Sequence, residues 1–468
     1  MDDYSSKPLV SRFTVRRLYG YKDVELTFSA AAKIVIAENG TGKTTILNML
    51  DAFLNRRLSR LMRFEFHSIE CEVGSGEPLV LTKEDIASSP QVMLPPSMRE
   101  VIEESGLNAD ELVEWAARDS EEVPLSEIRS HPYFERLYRN SSMDIEETRE
   151  FVADIARRSH EGVPGKVQKI LSEIKLKLGP TQILYLPTYR RIELASARSF
   201  SDSANSRFTR VSRSRYPPGK IVGGPQMYFG LADVEQKLKE LTEEIGRRSN
   251  QGYRTTSATI LDDLLTRSTL SSSEYQLPEI ETLQLFFSRV SRPAEAKARL
   301  ETLENLYHSG KIKGGENDLL RYFLHKLASV ANETKDIEQR LEQFANVLNV
   351  YLKTSSEGKE FRYDPQLTRV SVRNLWTGKE IQLEALSSGE KQVISLFAHL
   401  YLDTDPKFVL IDEPELSLSM DWQKLLLPDV AKAPSCRQLL AITHSPFIFE
   451  NELDPYAEEL HITRFALG

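Results

Sequence analysis

The amino-acid sequence predicts an α/β protein: a mixed sheet with flanking helices and an antiparallel β lobe, interrupted by a mainly α-helical insertion. Three observations carry that prediction. A compact apolar run, KIVI at 33–36, leads through the glycine loop AENGTGKTT into ILNMLDAFLNRRL, where Ile46, Leu47, Leu50, Phe53 and Leu54 fall at helical spacing. Far downstream a second apolar run, FVLIDEPE at 408–415, ends in paired carboxylates. Between the two, charged stretches with amphipathic helical periodicity dominate.

Taken in order, residues 1–86 read as an amino-terminal lobe. RFTVRRLYGYKDVELTF alternates apolar and polar positions around Tyr19-Gly20-Tyr21 and predicts short strands. FEFHSIECEV and EPLVLTKEDI flank Gly74-Ser75-Gly76 and predict a hairpin. Residues 87–180 turn helical and strongly charged, closing at Gly179-Pro180, a helix stop. TQILYLP, within 181–188, predicts a short buried core strand. Residues 189–360 hold a basic loop and a further helical insertion. The loop, 189–220, carries eight Lys or Arg against Glu193 and Asp202 and is rich in Ser, a composition that favours exposure. DVEQKLKELTEEIGRR and ETKDIEQRLEQFANVLNVYL are amphipathic, but neither sustains the heptads of a long coiled coil. Residues 361–468 form the carboxyl-terminal lobe, opening with FRYD, RVSVRNL, the turn WTGK and EIQLEAL as a hairpin.

Composition bounds the function classes. The 468 residues can bury at least one large core, and 40% hydrophobic with 28% charged residues describes a globular chain. A net charge of −9 argues against a surface coated with basic residues for wrapping nucleic acid, though a local basic patch stays open. The chain lacks an apolar run of membrane-spanning length, and its start, MDDYSSKPLV, lacks the build of a secretory signal, so a cytoplasmic protein is expected. Cys71 and Cys436 are too few and too distant for a metal cluster or disulfide framework and read as ordinary buried thiols.

AENGTGKT at 37–44 matches the phosphate-loop pattern G-x-x-x-x-G-K-[ST] except that Ala37 takes the first glycine position. Asn39, Gly40, Thr41, Gly42, Lys43, Thr44 and Thr45 are therefore the candidate nucleotide-binding residues. Gly40 and Gly42 let backbone N–H groups curl around phosphate oxygens, and the following helix points its positive end at them. Lys43 would reach the β and γ phosphates, and the Thr44 hydroxyl would ligate Mg²⁺. At the end of the acidic strand, Asp412 would hold the metal directly or through water, and Glu413 would take the proton of an attacking water. In LSSGE, 386–390, Ser387 and Glu390 form a capping box, with Val393, Leu396, Phe397 and Leu400 on one face of the helix that follows. Its amino end, with Ser387, Ser388 and Gly389, reads either as an anion site or as a well-capped helix alone.

ENGTGKTT, LSSGEKQ, VLIDEPELSLSMDWQ and AITHSPFIF, in that order, resemble the ATP-binding-cassette ATPase heads of the RecF, SMC, Rad50 and OLD group. They are especially similar to the compact AAA-family ATPases of bacterial antiphage defence operons, such as the ATPase subunits of the Septu and PARIS systems. The resemblance covers about 8–85 and 361–450 and is weak between them. It implies a fold of ABC type, ATP and Mg²⁺ as ligands, and two heads that sandwich two nucleotides as a homodimer or higher homo-oligomer. Ser387 and Gly389 would then contact the γ-phosphate in trans, His444 would be the switch histidine that senses it, and Asp421 would lie where subunits meet. Ser388 replaces the usual second glycine of the signature, and Gln182 is a weak candidate for the glutamine that links the lobes.

Two functions follow from the resemblance. The first is the sensor or scaffold ATPase of an antiphage complex. OLD nucleases carry a C-terminal Toprim domain with clustered acids, whereas this sequence runs only 24 residues past His444, so its effector, such as a nuclease, is expected to be a separate protein. The alternative is a DNA-repair or chromosome-maintenance ATPase of RecF or Rad50 type, for which Arg56, Arg57, Arg60, Arg63 and the 189–220 loop supply basic surface.

Overall fold

The computed structural model describes residues 6–38, 40–74, 76–87, 94–107, 109, 112–113, 115–116, 132–141, 143–160, 165–187, 231–265, 277–290, 293–313, 317–355 and 357–465. It divides into two compact units, Met1–Tyr228 with Asp405–Gly468, and Phe229–Thr404.

Two sheets build the first unit. An antiparallel sheet of order β13-β2-β1-β4-β5 is formed by β1 (Val10–Leu18), β2 (Lys22–Thr27), β4 (Ser68–Val73), β5 (Leu79–Thr82) and β13 (His461–Arg464). A parallel sheet of order β12-β3-β11-β10-β6 is formed by β3 (Ala32–Ile36), β6 (Gln182–Leu186), β10 (Lys407–Asp412), β11 (Cys436–Thr443) and β12 (Ala457–Glu459). Parallel and antiparallel pairing are both present with flanking helices, in line with the α/β expectation. The continuous apolar runs of β10 and β11 match their burial on both faces, as parallel strands require. The buried Gln438 side chain ties β11 to the antiparallel sheet, accepting from the N–H groups of Leu9 and Val10 and donating to Val10 O. Helix α1 (Lys43–Leu54) packs on β10 and β6, with α2 (Leu58–Met62) behind it. The expected hairpin around Gly74 to Gly76 is the β4–β5 pair.

Further helices of this unit are α3 (Lys83–Ala87), α4 (Pro96–Glu104), α5 (Pro132–Asn140), α6 (Ile145–His160) and α7 (Gly165–Leu178). Trp115, Tyr133, Phe134, Leu137 and Ile155 form a small separate core among the helices of 94–156. Cys71 and Cys436 are free thiols, and burial raises both, Cys436 to about 12.

The second unit holds α8 (Leu231–Leu265), α9 (Ile280–Val290), α10 (Pro293–His308), α11 (Asp318–Asn332), α12 (Lys335–Leu352), the antiparallel strands β7 (Lys359–Asp364), β8 (Arg369–Asn374) and β9 (Glu380–Ile381), and α13 (Ser388–Tyr401). α14 (Met420–Ala431) returns to the first unit. The residues of 361–404, read from sequence as part of the carboxyl-terminal lobe, pack with the helical insertion: α12 meets both β7 and α13. β9 is shorter than EIQLEAL suggests, because a 3-10 turn at Leu383–Ala385 swings the chain into the cap of α13. A buried Arg289 binds Glu338 and Pro365 O and so fastens α9, α12 and the β7–β8 turn together.

Candidate functional site

Strand register assembles the site. Asp412 is paired with Ile442, and Thr443 with Ile36, so the carboxyl ends of β10, β11 and β3 form one edge. Ligands of parallel α/β sheets lie beyond such carboxyl ends. Residues from 37–45, 412–415 and 443–445 meet there.

The glycine loop has the geometry that its motif requires. Gly40 (φ 83°) and Gly42 (φ 102°) are left-handed, a region open to glycine at little cost. A Cβ on Gly42 would also lie 3.3 Å from Lys22 Nζ. Ala37 is not among the left-handed residues, so its methyl is accommodated. Gly42 caps α1 without a side chain, which leaves the first helical N–H groups available to an anion. Buried Lys22 donates to Thr41 O at 2.8 Å and Thr41 Oγ1 donates to Glu38 O at 2.8 Å, bracing the loop. Asn39 lies outside the described residues.

Lys43 is buried, and its Nζ has no hydrogen-bond partner among the described residues. Its nearest anion is Glu413 Oε1 at 3.8 Å. Thr44 Oγ1 donates to Asp412 Oδ2 at 2.7 Å, while the buried Asp412 Oδ1 has no partner among the described residues. Glu413 has φ 52°, costly for a residue with a Cβ, and its N–H is fastened to Ile442 O at 2.9 Å. Its carboxylate faces His444 Nε2 at 3.7 Å. Lys43, Thr44, Asp412, Glu413 and His444 are thus brought together from three separate stretches of chain.

Sequence reasoning passed over four neighbours. Glu415 Oε2 accepts from Thr443 Oγ1 at 2.8 Å and Oε1 from the His444 N–H at 2.9 Å. Burial raises its pKa, outweighing these bonds and the nearby Lys43 charge. Gln423 links Glu415 O to Ser445 Oγ. Tyr19 OH lies 3.3 Å from Thr45 Oγ1, and Lys22 Nζ sits over the Tyr19 and Tyr21 rings. The available signals were the i, i+2 acids of DEPE and the two tyrosines flanking Gly20, but only tertiary contact gives them meaning.

Ser387, Ser388 and Gly389 lie in the second unit, at the start of α13. The expected capping box is present: Glu390 N–H donates to Ser387 Oγ at 3.3 Å and Ser387 N–H to Glu390 Oε2 at 2.8 Å. Lys359 Nζ donates to both Glu390 oxygens, at 3.0 and 2.9 Å. Burial pushes the Glu390 pKa up, but the bonds from Lys359 and Ser387 outweigh it and leave it lowered. The Ser387 and Ser388 side chains stay exposed at the helix end.

Two expectations, the arginine surface and Gln182, need adjustment. Arg57 is buried and bound to Asp51 at 3.1 Å, with Arg60 3.6 Å from the same carboxylate, so these arginines brace the end of α1 rather than offer free basic surface. The 189–220 loop lies outside the described residues. Gln182 pairs with Lys407, at the opposite end of the sheet from Asp412, and donates to Asp405 Oδ2, which removes it as a lobe-linking glutamine. Asp421 is exposed in the first turn of α14. Among the described residues no cluster of three or more His, Cys, Asp or Glu could hold a metal by itself, and no helix is long and apolar enough to cross a membrane.

Residues 258–450 match a protein-family model described as "AAA domain, putative AbiEii toxin, Type IV TA system". That match and the α/β architecture support a P-loop ATPase. No curated protein matches the chain. Among solved structures, the chain aligns with the Smc head domain of Pyrococcus furiosus, with an extended coiled coil and bound to the C-terminal domain of ScpA. The identity is 14%, the TM-score 0.32, and the alignment covers 98% of this chain and 97% of that one. At that score the likeness establishes no shared fold.

Proposed function

We propose that the chain hydrolyses ATP to ADP and phosphate at composite sites between paired copies, as the sensor or scaffold subunit of an antiphage complex that controls a separate effector, in particular a nuclease. One observation carries the catalytic part. Two buried polar atoms, Lys43 Nζ and Asp412 Oδ1, lack hydrogen-bond partners among the described residues, and they flank the free amino end of α1. Buried polar groups ordinarily find partners, so an anion for Lys43 and a cation for Asp412 are the occupants that fit.

In this reading the N–H groups of 40–45 and Lys43 cradle the triphosphate, and Tyr19 stands where a base could stack, near Thr45. Thr44 and Asp412 would hold Mg²⁺, which would supply positive charge to offset that of the triphosphate. Glu413, with only the longer contacts to Lys43 and His444 on its carboxylate among the described residues, is placed to accept the proton of the attacking water. His444 would orient the γ-phosphate. Ser387, Ser388 and Gly389 of a second copy would complete the pocket with the amino end of α13. Met420, 60% exposed at the start of α14, and Phe447, 37% exposed on the turn packed against that helix, would supply apolar surface for that meeting.

The defence role is supported by the order of the motifs and by a family description that names a type IV toxin–antitoxin system. Support for the DNA-maintenance alternative is reduced by the engagement of Arg57 and Arg60 with Asp51.

Mixing Lys43→Ala with Ser387→Arg protein tests the composite site. Each variant alone should be inactive, while the mixture should regain a fraction of wild-type turnover because one of its two sites is intact. No recovery would refute pairing in trans. For the biological role, expression with its flanking genes should lower phage plaque counts, and Lys43→Ala should abolish that protection. Protection that survives Lys43→Ala would remove ATP from the mechanism.

A further inference from the structure

The catalytic reading leaves one half-buried carboxylate unused. Glu415 spends both oxygens on the turn after β11: Oε2 accepts from Thr443 Oγ1 at 2.8 Å and Oε1 from His444 N–H at 2.9 Å. Thr443 is fully buried, and its Oγ1 in turn accepts from Ser445 N–H at 3.0 Å. A second chain of bonds closes the ring. Ser445 Oγ donates to Gln423 Oε1 at 2.7 Å, and Gln423 Nε2 donates to Leu418 O at 3.1 Å and Glu415 O at 3.4 Å. Together the two halves of the ring join the histidine turn to residues 415–423, which lead into α14.

The two acids of DEPE therefore differ in kind. Glu413 stands 3.8 Å from Lys43 Nζ and 3.7 Å from His444 Nε2, longer than hydrogen bonds, an open geometry that leaves room for a ligand. Glu415 makes short bonds to the backbone and hydroxyl that carry His444, the geometry of a brace. A brace of this sort has a direct chemical consequence. His444 can serve a γ-phosphate only if its backbone is held, and a misplacement of about 1 Å can cost about 10²-fold in rate.

We propose that Glu415 is a positioning residue for ATP hydrolysis: it holds the main chain of His444 beside Glu413 and, through Gln423 and Ser445, couples that placement to the amino end of α14. The inference rests on the ATPase reading and adds to it a route by which contact of a second copy with α14 sets turnover without altering nucleotide binding.

Glu415→Gln tests it, because the amide matches the carboxylate in shape but keeps only one acceptor oxygen. Phosphate release by the full chain should slow by about 10- to 100-fold, the equivalent of one lost charge-assisted hydrogen bond. Affinity for a fluorescent ATP analogue should stay within about 3-fold, since the interaction removed acts on turnover. Amide hydrogen exchange at 443–445 should quicken. The Glu415→Gln, His444→Ala double variant should be no slower than the slower single variant, because residues acting as a unit are not additive. Should Glu415→Gln not fold, Gln423→Leu at the far side of the ring carries the same expectation. Wild-type turnover, an equal loss of affinity and rate, or multiplicative losses in the double variant would each overturn the inference. If Lys43→Ala and Glu413→Gln impair the enzyme as the catalytic reading requires while Glu415→Gln does not, only this inference falls. If the wild-type chain shows no hydrolysis sensitive to Lys43→Ala, the ATPase reading falls with it.

Discussion

Replacing Glu413 with Gln separates chemistry from binding more sharply than any other single change. The substitution keeps the shape of the side chain and removes its charge and its capacity to accept a proton. Loss of a general base costs about 10²-fold or more, and 10² corresponds to about 2.7 kcal/mol of barrier at about 1.36 kcal/mol per tenfold. Binding should respond in the opposite direction. Glu413 Oε1 stands 3.8 Å from Lys43 Nζ, so the carboxylate competes with phosphate for that ammonium. A gross attraction of roughly 1 to 4 kcal/mol, between the water and protein-surface limits for charges about 4 Å apart, is released when the charge goes. ATP should therefore bind the variant at least as tightly as it binds the wild type, and the ATP-loaded variant should accumulate as a dimer. Phosphate release, titration with a fluorescent ATP analogue and light-scattering mass measure the three effects. A rate loss below about tenfold would deny Glu413 the role of base. Loss of ATP binding would mean that Glu413 is part of the cradle, and a strictly monomeric ATP-bound form would refute the composite site.

Three further outcomes follow from named contacts. Glu390 has a lowered pKa, so it contributes stability above the usual carboxylate value of about 4.3 that is lost as pH falls through its depressed value. Lys359→Met should make that pH dependence shallower and destabilise the start of α13 by on the order of 3 kcal/mol, seen as faster amide exchange at 387–391; unchanged exchange would deny Lys359 a supporting role. Asp51→Asn leaves the buried Arg57 without its anion and should cost about 3 to 5 kcal/mol, read as a lower denaturation midpoint for the α1 region; an unshifted midpoint would show the pair to be dispensable. Phe447→Glu, placed in the Glu413→Gln background, should keep ATP bound to monomers, and dimers of undiminished strength would move the meeting surface elsewhere.

The parts legible in the sequence are those whose pattern is local. KIVI and KFVLID declare buried parallel strands by unbroken apolarity, and Ser387 with Glu390 declares a helix start because the capping box spans only four residues. The carboxyl-terminal strands were not legible. β12 is three residues long with two glutamates, and β13 reads HITR; neither alternates, and each exists by pairing with β3 and β2. Lys33 reaches across to Glu458 to hold that edge. Lys22 under the glycine loop and Lys359 under the start of α13 were hidden for the same reason. An ammonium on a strand looks like solvated surface until the fold sets it against a carbonyl or carboxylate.

The separation of the motifs along the chain also has a physical ground. β6 ends at Leu186 and its parallel neighbour β10 begins at Lys407, so one crossover in the sheet contains the whole second unit. A βαβ unit, strands included, takes roughly 30 residues. Lengthening it to the span observed is about three doublings, which costs roughly 2 kcal/mol of closure entropy at about 0.6 kcal/mol each. The β6–β10 register, which sets Ile411 against Leu186, is maintained by strand hydrogen bonds and is indifferent to that length. The glycine loop and the acidic strand therefore keep their contact, with Thr44 Oγ1 2.7 Å from Asp412 Oδ2, whatever the length of the inserted unit.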